Sequence, residues 1–500
     1  MGGRLDSARK RAKCDDPEVQ AILDAGIEGG PAVWVCEELA GVDLADKRLD
    51  RRLIMTAGFL ASSPMWPINQ ACRTWGSTKA AYRLFHNRKA SPEAILRPHI
   101  RATAKRMATL DEPLLAVQDT VFISYKNHPK VRGVGPIGKD DEGRGLIMHN
   151  ALVLTSAGTP LGVLSQKIWA RQEVPEEGHQ EKIERIQQTA IEEKESVKWL
   201  EALRETVERA PPKAKVITVA DRESDIFEFL TCAEELKARY LIRARVDRQL
   251  VCEQSEGFEC MEEALAAAEV LGTIEVEVTG NDKRKARTAE VAVKVAQVTI
   301  RPPQRRGRAK DSGSSEPITV RVIGATETKP PEGEPAISWV LLTNLPVPDF
   351  EAAAEKVRWY SKRFTIETWH KVLKSGCTVE QCRLETGERL ARYLALFSVI
   401  GVRLMHVAYL ARAQPDLPAT AVFSAEEIEA LHVDAGQERP PEKPLTLKEA
   451  VRMMGRLGGH LGRKGDGDPG MTVVWRGWLL LYHAVHIIGR LRKAGRLNSS

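Results

Sequence analysis

Three carboxylates stand at positions where a metal-dependent phosphoryl-transfer site could form. Asp119 and Asp221 each follow an apolar run, PLLAVQ and AKVITVA, that is typical of a buried strand. Ligands and catalytic groups gather at the carboxyl edge of an open α/β sheet, so we expect two strands that end in these aspartates to bring them together. Aspartate is also common in turns, and either residue alone would indicate little.

The segment YSKRFTIETWHKVLK supplies the third carboxylate, Glu367. On one continuous α-helix, Tyr360, Arg363, Glu367, Lys371 and Lys374 would fall within an arc of about 80°. The simplest interpretation is a solvated face with Arg363–Glu367 and Glu367–Lys371 pairs. The functional interpretation is that Glu367 meets the two aspartates and that bound cations relieve their repulsion. Carboxylates holding two Mg²⁺ ions suit in-line attack on a phosphodiester, and the neighbouring cations would bind flanking phosphates.

Hydrophobic patterning predicts the elements that position these residues, with Pro64 and Pro67 dividing the first helical segment. The pattern divides the chain into a poorly ordered extension (1–33), a helical domain (34–110), the first part of an α/β catalytic domain (111–249), a β-rich insertion (250–338), the second part of the catalytic domain with the Glu367 helix (339–412) and a helical C-terminal domain (413–500).

Four shorter segments carry more specific predictions. Residues 150–170 predict two strands around a turn, and residues 177–208 predict one charged helix. The near-strict alternation of 288–300 is typical of a half-exposed antiparallel strand. Residues 414–445 predict a polar, Pro-rich connection.

Charge is distributed unevenly along the chain. The formal net charge of +6 decides little, but the segment from Asp43 to Arg106 holds 13 Lys and Arg against 4 Asp and Glu. The last 30 residues are basic as well. Basic regions near both ends favour a polyanionic partner, and two ordinary solvated surfaces are the alternative.

The piece WGSTKAAYRLFHN lies within the first basic region. It places Trp75, Lys79, Tyr82, Arg83 and His86 at helical spacing. Aromatic side chains interleaved with cations suit phosphate contact and base stacking. An amphipathic helix with its aromatic residues in the core is an equally good interpretation of this piece alone.

Composition argues against several classes of protein. Eight cysteines without a CxxC pair are too few for a disulfide scaffold and badly spaced for zinc. No run of about 20 apolar residues predicts a membrane span, and no apolar stretch follows the basic N-terminal residues as in a secretory signal. We therefore expect a cytosolic protein with reduced thiols.

The order of these motifs resembles the DDE transposases with a ribonuclease-H-like catalytic domain, in the transposon-five-like branch of the insertion-sequence-four type. That branch is marked by a Tyr-x2-Arg-x3-Glu-x6-Lys (YREK) motif, complete here as Tyr360, Arg363, Glu367 and Lys374. The resemblance extends to AVQDT, VADRESDIFEFL, LIRARV, SWVLLT and WRGWLLL, and it covers about residues 34–490.

The resemblance implies both a fold and a mechanism. The fold would be a ribonuclease-H-like mixed sheet flanked by helices, with a DNA-binding domain at 34–110 and dimer contacts from 413–500. Asp119, Asp221 and Glu367 would hold two Mg²⁺ ions, for which Mn²⁺ would substitute. The enzyme would nick a transposon end, excise it through a DNA hairpin and transfer the 3′ ends into target DNA.

The resemblance also implies a DNA interface. Tyr360, Arg363 and Lys374 would bind phosphates of the strand that is not transferred. Trp339 would stack on a flipped-out base, although its apolar neighbours fit a core position equally well. The other expected DNA contacts are Arg243, Lys371, Lys79 and Arg83.

The expected partners are double-stranded DNA, as terminal repeats and as target, and a second copy of the chain, with no membrane. The expected location is the bacterial cytoplasm, in association with the nucleoid. One alternative function is a nuclease on the same fold without strand transfer. A second is a domesticated, inactive DNA-binding protein, which the intact acidic triad disfavours.

Overall fold

The chain forms a helical N-terminal segment, a large mixed sheet flanked by helices and a helical C-terminal segment. The computed structural model describes residues 33–138, 143–173, 178, 180, 184–185, 188–278, 287–303, 316–436, 443–463 and 465–495. The predicted extension lies outside these residues apart from its last residue.

The N-terminal segment is helical, as predicted. Pro64 and Pro67 separate its second and third helices, and the side chains of Asp46, Thr74 and Ser91 cap three of the helix N-termini. The helices are α1 (Val33–Glu38), α2 (Lys47–Ser62), α3 (Ile68–Ala71), α4 (Trp75–His86) and α5 (Pro92–Ala108).

Ten strands of the described chain form one sheet. They are β1 (Pro113–Ser124), β2 (Gly135–Ile137), β3 (Gly143–Thr155), β4 (Pro160–Trp169), β5 (Lys215–Ala220), β6 (Arg239–Arg243), β7 (Val270–Val278), β8 (Arg287–Ile300), β9 (Ile318–Glu327) and β10 (Ser338–Thr343). The order is β2-β3-β1-β5-β6-β10-β9-β8-β7, and β4 also pairs with β3.

Strand directions define the fold class. β3 is antiparallel to β1 and β4, whereas β1, β5 and β6 are mutually parallel. This mixed sheet flanked by helices confirms the predicted fold class and is consistent with a ribonuclease-H-like transposase. The strands β7, β8 and β9 of the predicted insertion continue the same sheet, because β10 joins β9 to β6.

The remaining helices cover the sheet and build the C-terminal segment. They are α6 (Val197–Arg209), α7 (Phe227–Glu235), α8 (Met261–Ala267), α9 (Phe350–Ser361), α10 (Phe364–Lys371), α11 (Gly387–Ala413), α12 (Ala425–Asp434), α13 (Leu447–Leu457) and α14 (Met471–Lys493). The largely buried α11 packs on β4 and α5, and α10 packs on β1. The helix that carries Glu367, α10, therefore packs directly on β1, the strand that carries Asp119.

Two local predictions were wrong. The one helix predicted over 177–208 is interrupted in the described part of the chain: residues 180, 184–185 and 188 are helical, a 3₁₀ turn follows at Ile191–Glu193, and the next helix begins at Val197. There Glu195 pairs with Arg171 at 2.6 Å, so a tertiary contact overrides local helix propensity. The predicted connection 414–445 contains α12, whose capping box at Ser424 and Glu427 is a helix-start signal that we overlooked.

Among the described residues, two helices are long and apolar enough to span a membrane, judged by length and composition alone. In Gly387–Ala413, 78% of the apolar window is buried inside the protein, as expected of a core helix. In Met471–Arg492 the share is 28%. The same test is passed by core helices of proteins that cross no membrane, so these two helices do not overturn the expectation of a protein without a membrane partner.

Candidate active site and DNA-binding surface

Asp119 and Asp221 lie side by side on neighbouring strands. The last parallel pair of β1 and β5 is Gln118 with Ala220. Asp119 and Asp221 are the next residues after this pair. Asp221 directly follows the last residue of β5, one residue from the predicted strand end, and its side chain accepts a hydrogen bond from the Glu223 amide at 2.9 Å. The prediction that β1 ends at Asp119 was wrong.

β1 continues through Asp119 to Ser124, because the residues VFIS after it extend the antiparallel pairing with β3. Asp119 stands opposite Asn150 of β3. Asp119 is therefore held within a strand by its pairing with β3, and the site lies where β5 ends rather than where β1 ends.

The YREK motif is not on one continuous α-helix, contrary to prediction. Tyr360 lies in the last turn of α9 and Glu367 lies on α10, while Lys374 lies in a π-helical turn, Val372–Gly376. The connecting amides of Lys362 and Arg363 bond three residues back, to Trp359 and Tyr360. These tighter and wider turns change the angle per residue, so the arc calculated for an ideal α-helix does not apply.

Arg363 bridges two of the three acids. It is 7% exposed. Its Nη2 donates to Glu367 Oε1 at 2.5 Å, and its Nη1 lies 3.9 Å from Asp119 Oδ2. Its Nε has no hydrogen-bond partner among the described residues. The predicted Arg363–Glu367 pair thus forms, and it brings Glu367 to the same cation as Asp119.

Burial and neighbouring charge shift the pKa of Asp119 strongly. Burial raises this pKa to about 7, and the negative charges of Asp221 and Glu367 add to the rise. Arg363 and a hydrogen bond from the Thr120 amide, 2.9 Å from Asp119 Oδ1, act in the opposite direction. Burial is thus the main reason why the Asp119 carboxyl favours its protonated form.

The three acids have the chemistry of a Mg²⁺ site. Within the described residues, no three His, Cys, Asp or Glu side chains stand close enough together to hold a metal ion. The chemistry of the side chains nevertheless suits such an ion, because all three offer hard carboxylate oxygens. Glu367 has a half-exposed side chain and can turn away from Arg363 towards the aspartates.

The predicted DNA contacts near the acids differ in exposure. Lys371 is exposed, and Lys374 is half-buried with its Nζ 3.7 Å from Glu380. Arg243, at the end of β6, donates to the Ser338 carbonyl at 3.0 Å. Tyr360 is buried, and burial raises its pKa. Lys371 is thus the most accessible cation of this group.

Trp339 is buried in this conformation. It is 6% exposed, and its ring meets Tyr360 edge-on with 5.2 Å between ring centroids. The centroid of the Phe364 ring lies 6.5 Å from that of the Trp339 ring. The core interpretation describes this conformation, and base stacking by Trp339 stays a prediction that requires the ring to be uncovered.

The exposed face of α4 is cationic and aromatic. Trp75 is 78% exposed and Tyr82 is 42% exposed, and both Lys79 and Arg83 point to solvent. The buried face consists of Thr78, Ala81, Leu84 and Phe85. The interpretation that placed the aromatic residues of this helix in the core is therefore wrong for Trp75 and Tyr82.

A basic cavity of about 640 Å³ escaped the sequence analysis. Its charged lining comes from three separate chain segments, so no single stretch showed it; only His86 had been singled out. Arg389 Nη2 donates to His86 Nδ1 at 2.7 Å, which joins the start of α11 to the end of α4. The basic side chains of the cavity are His86, Arg88, Arg132, Arg389 and Arg392.

Buried polar groups also surround the acids from the inside. His370 Nδ1 lies 3.7 Å from Asp119 Oδ2. Burial, with the charges of Lys374 and Arg363, lowers the pKa of His370 to about 3, so the ring is neutral. His370 was absent from the predicted site, since a histidine on a helix carries no signal of its own.

Two segments of the chain match known families of transposase domains. Residues 31–90, which include the exposed face of α4, match the family described as transposase DNA-binding. This match supports a DNA-binding role, of the kind that transposases have, for the N-terminal segment. Residues 399–495, which include α12, α13 and α14, match the transposase Tn5 dimerisation domain. Together the two matches support a Tn5-like transposase that binds DNA and forms homodimers. Neither match includes the three carboxylates.

Proposed function

We propose that this protein is a cut-and-paste DDE transposase of the insertion-sequence-four type. The observation that carries the proposal is the register that sets Asp119 beside Asp221, with Arg363 linking Asp119 to Glu367. This acidic cluster lies between two segments that match DNA-binding and dimerisation domains of transposases. The combination fits breakage and joining of DNA better than a structural ion-pair network.

The three acids would hold two Mg²⁺ ions, or Mn²⁺ in their place. Bound ions of this kind activate a water or a 3′-OH and stabilise the charge that develops at phosphorus. To ligate them, Asp119 must give up the proton that its raised pKa favours, and Glu367 must turn away from Arg363. Arg363 would then be free for a DNA phosphate, together with Lys371 and Lys374.

The reaction sequence needs only in-line displacements at phosphorus. Water attacks one strand at the transposon end and releases a 3′-OH. This hydroxyl attacks the opposite strand to form a hairpin, a second water reopens the hairpin, and the same 3′-OH attacks target DNA. The protein supplies no covalent nucleophile in this sequence, so one set of carboxylates can serve every step.

The protein would also contact the DNA through surfaces away from the three acids. The exposed face of α4, with Lys79 and Arg83, offers charge and aromatic surface to a transposon end. The basic cavity between α4 and α11 continues this surface. Near the acids, Tyr360 and Arg243 would add phosphate contacts, and Trp339 would receive a flipped-out base once uncovered.

Catalysis would take place in a homodimer assembled on two paired ends, with each protomer cutting the end that its partner binds. The C-terminal helix α14 carries apolar side chains that one copy of the chain leaves exposed, such as Leu480 at 45% and Ile487 at 54%. Burial of such groups against a second copy is favourable. Because each protomer would cut the end that its partner binds, a single unpaired end would not be excised.

The test is incubation of the full-length protein with Mg²⁺ and DNA that carries candidate terminal repeats. We expect nicked, hairpin-ended and target-joined products, all lost in Glu367→Gln. Glu351→Gln on α9, an exposed acid that faces Arg358, is the matched control and should retain activity. Wild-type cleavage by Glu367→Gln would refute the assignment of Glu367. Cleavage without joining would favour the nuclease, and binding without cleavage an inactive DNA-binding protein.

A further inference from the structure

A row of buried polar side chains runs inward from Asp119. His370 Nδ1 lies 3.7 Å from Asp119 Oδ2, and His370 Nε2 lies 3.4 Å from Asn150 Nδ2. Asn150 Oδ1 accepts from Gln166 Nε2 at 2.9 Å, and the same Nε2 donates to Ser398 Oγ at 2.7 Å. The row crosses β1, β3 and β4 and ends on α11.

The strand registers create this row. Asp119 is the register partner of Asn150 in the β1–β3 pair, and Asn150 is the partner of Gln166 in the β3–β4 pair. His370 enters from α10, which packs on β1. Asn150 is fully buried and His370 is 7% exposed, so water competes little for these groups.

The hydrogen bonds define the direction of the row. Ser398 Oγ donates to the Leu394 carbonyl at 2.9 Å and therefore accepts from Gln166. Gln166 in turn donates to Asn150 Oδ1, which leaves the Nδ2 donor of Asn150 facing His370 Nε2. A ring nitrogen that accepts a hydrogen bond carries no proton, so the proton of His370 resides on Nδ1 and faces Asp119.

We propose that His370 is a positioning residue that orients Asp119 for metal ligation through its Nδ1–H group. The inference rests on the proposed function, in which Asp119 is a metal ligand. At 3.7 Å the contact is longer than a hydrogen bond, and a movement of under about 1 Å would close it. Groups that orient a metal ligand in this way typically alter metal affinity or activity by about 10–100-fold when they are lost.

Three substitutions separate a positioning role from mere packing. His370→Asn keeps an N–H donor near the position of Nδ1, whereas His370→Gln places its amide near the position of Nε2. His370→Phe keeps a ring of similar shape and removes both nitrogens. If His370 only fills space, Phe will be the best replacement. If it orients Asp119, Asn will be the best.

The first measurement is Mn²⁺ affinity of the full-length protein, by electron paramagnetic resonance, with thermal unfolding as a check on folding. We expect about 10–100-fold weaker binding in His370→Phe and near wild-type binding in His370→Asn. DNA cleavage should follow the same order, with end-DNA affinity unchanged. Equal Mn²⁺ affinity in wild type and His370→Phe, or better binding by Phe than by Asn, would overturn the proposal.

The second measurement needs no metal. In protein labelled with ¹⁵N at histidine, with His370→Phe to assign the signal, the two-bond proton–nitrogen couplings report which ring nitrogen is protonated. We expect a neutral ring with its proton on Nδ1. A proton on Nε2 contradicts the proposal, whatever the fate of the proposed function.

Asp119→Asn distinguishes the two failures. If wild type binds Mn²⁺ no better than Asp119→Asn, with and without DNA, the proposed function fails. If Asp119→Asn loses Mn²⁺ but His370→Phe does not, the proposed function stands and the role of His370 is refuted.

Discussion

The Arg363 guanidinium lies between Glu367 and Asp119, with 2.5 Å from Nη2 to Glu367 Oε1 and 3.9 Å from Nη1 to Asp119 Oδ2. A positive charge therefore occupies the approach between two acids proposed as metal ligands. A cation entering this site must displace Arg363, whereas a DNA phosphate beside it would attract the guanidinium. Metal ligation and phosphate binding should thus favour each other.

Arg363→Ala should strengthen Mn²⁺ binding in the absence of DNA and abolish cleavage of end DNA. Removing one charge at about 4 Å from an acid changes its electrostatic energy by a few kcal/mol at most, so we expect about a tenfold gain in affinity. Calorimetric titration of Mn²⁺ into the DNA-free protein measures it. Arg358→Ala, an exposed arginine of α9, is the control and should change neither property. Weaker Mn²⁺ binding in Arg363→Ala would contradict the idea that this arginine competes with the ion.

The raised pKa of Asp119 predicts proton release on metal binding. The metal-free carboxyl has a pKa of about 7 and must ionise to ligate an ion. Below pH 7, apparent Mn²⁺ affinity should therefore fall by up to about tenfold per pH unit, and each binding event should release a proton. Calorimetry in buffers of different ionisation enthalpy counts these protons. A flat affinity between pH 5.5 and 7 would show that burial does not hold Asp119 protonated.

The same pKa shift has a consequence for stability. A carboxyl whose pKa is raised from 3.8 to about 7 by folding stabilises the protein below pH 4, and this contribution is lost as the pH rises through 7. Asp119→Asn should hence raise the melting temperature of the metal-free protein at pH 8 and have little effect at pH 4. Asp111→Asn, an exposed acid paired with Lys215, is the control.

The sequence predicted those features of the site that depend only on residues close together in the chain. The apolar run before Asp221 ends where its strand ends, and the cationic face of α4 follows from helical spacing. Asp119 was wrongly predicted to end its strand, because a charged residue after an apolar run is typical of a strand end. Pairing with β3 extends β1 beyond Asp119. The end of β1 therefore depends on its pairing with β3, which local sequence patterns do not show.

Other features depend on the packed molecule and had no sequence signal. The break between α9 and α10 follows no proline or glycine, so the YREK residues appeared to form one stripe. The basic cavity gathers arginines from three segments, and Asn150 becomes relevant only through its register with Asp119. Registers and cavities of this kind arise from tertiary contacts.

The exposed face of α4 should bind transposon-end DNA. Lys79→Ala and Arg83→Ala should each weaken binding and lower the slope of log affinity against log salt by about 1. Trp75→Ala should cost about 1–3 kcal/mol if the ring stacks on a base, with a smaller change in slope. Fluorescence anisotropy over a range of salt concentrations measures both quantities. Lys213→Ala, an exposed lysine before β5, should match wild type. Unchanged slopes in both α4 variants would exclude this face from the interface.

Trp339 has a core position and a proposed base contact, and two substitutions separate them. Trp339→Ala removes a buried ring beside Tyr360, so it should destabilise the fold by about 3–5 kcal/mol. If the ring also receives a flipped base, hairpin formation should fall far more than the first nick in single-turnover assays. Trp339→Phe preserves most of the packing and should restore stability more than hairpin formation. Equal loss of both steps in Trp339→Ala would leave only the core role.

Glu38 of α1, a largely buried carboxylate, takes part in one of the contacts between the helical N-terminal segment and the sheet. Arg106 of α5 donates two hydrogen bonds to Glu38, at 2.8 and 2.9 Å, and His99 Nδ1 forms a short contact with the same carboxylate. His99 Nε2 accepts from the Val163 amide of β4 at 2.9 Å, and Arg106 Nε donates to the Leu161 carbonyl at 2.8 Å. These contacts help to fix the orientation of the N-terminal segment relative to the sheet.

Glu38→Gln should destabilise this junction, because it leaves Arg106 and His99 without their shared charge. Burial opposes ionisation of Glu38, but His99 and Arg106 outweigh it and hold the pKa well below its usual range. Such a depressed pKa contributes stability above about pH 4.5 that is lost as the pH falls further. We expect Glu38→Gln to lower the free energy of unfolding by about 3–5 kcal/mol at pH 7 and by less at pH 3, because the contribution is only partly lost there. Chemical denaturation at both pH values measures the difference, with Glu37→Gln, its neighbour on α1, as control. An equal loss at pH 7 and pH 3 would show that the charge of Glu38 does not hold the two parts together.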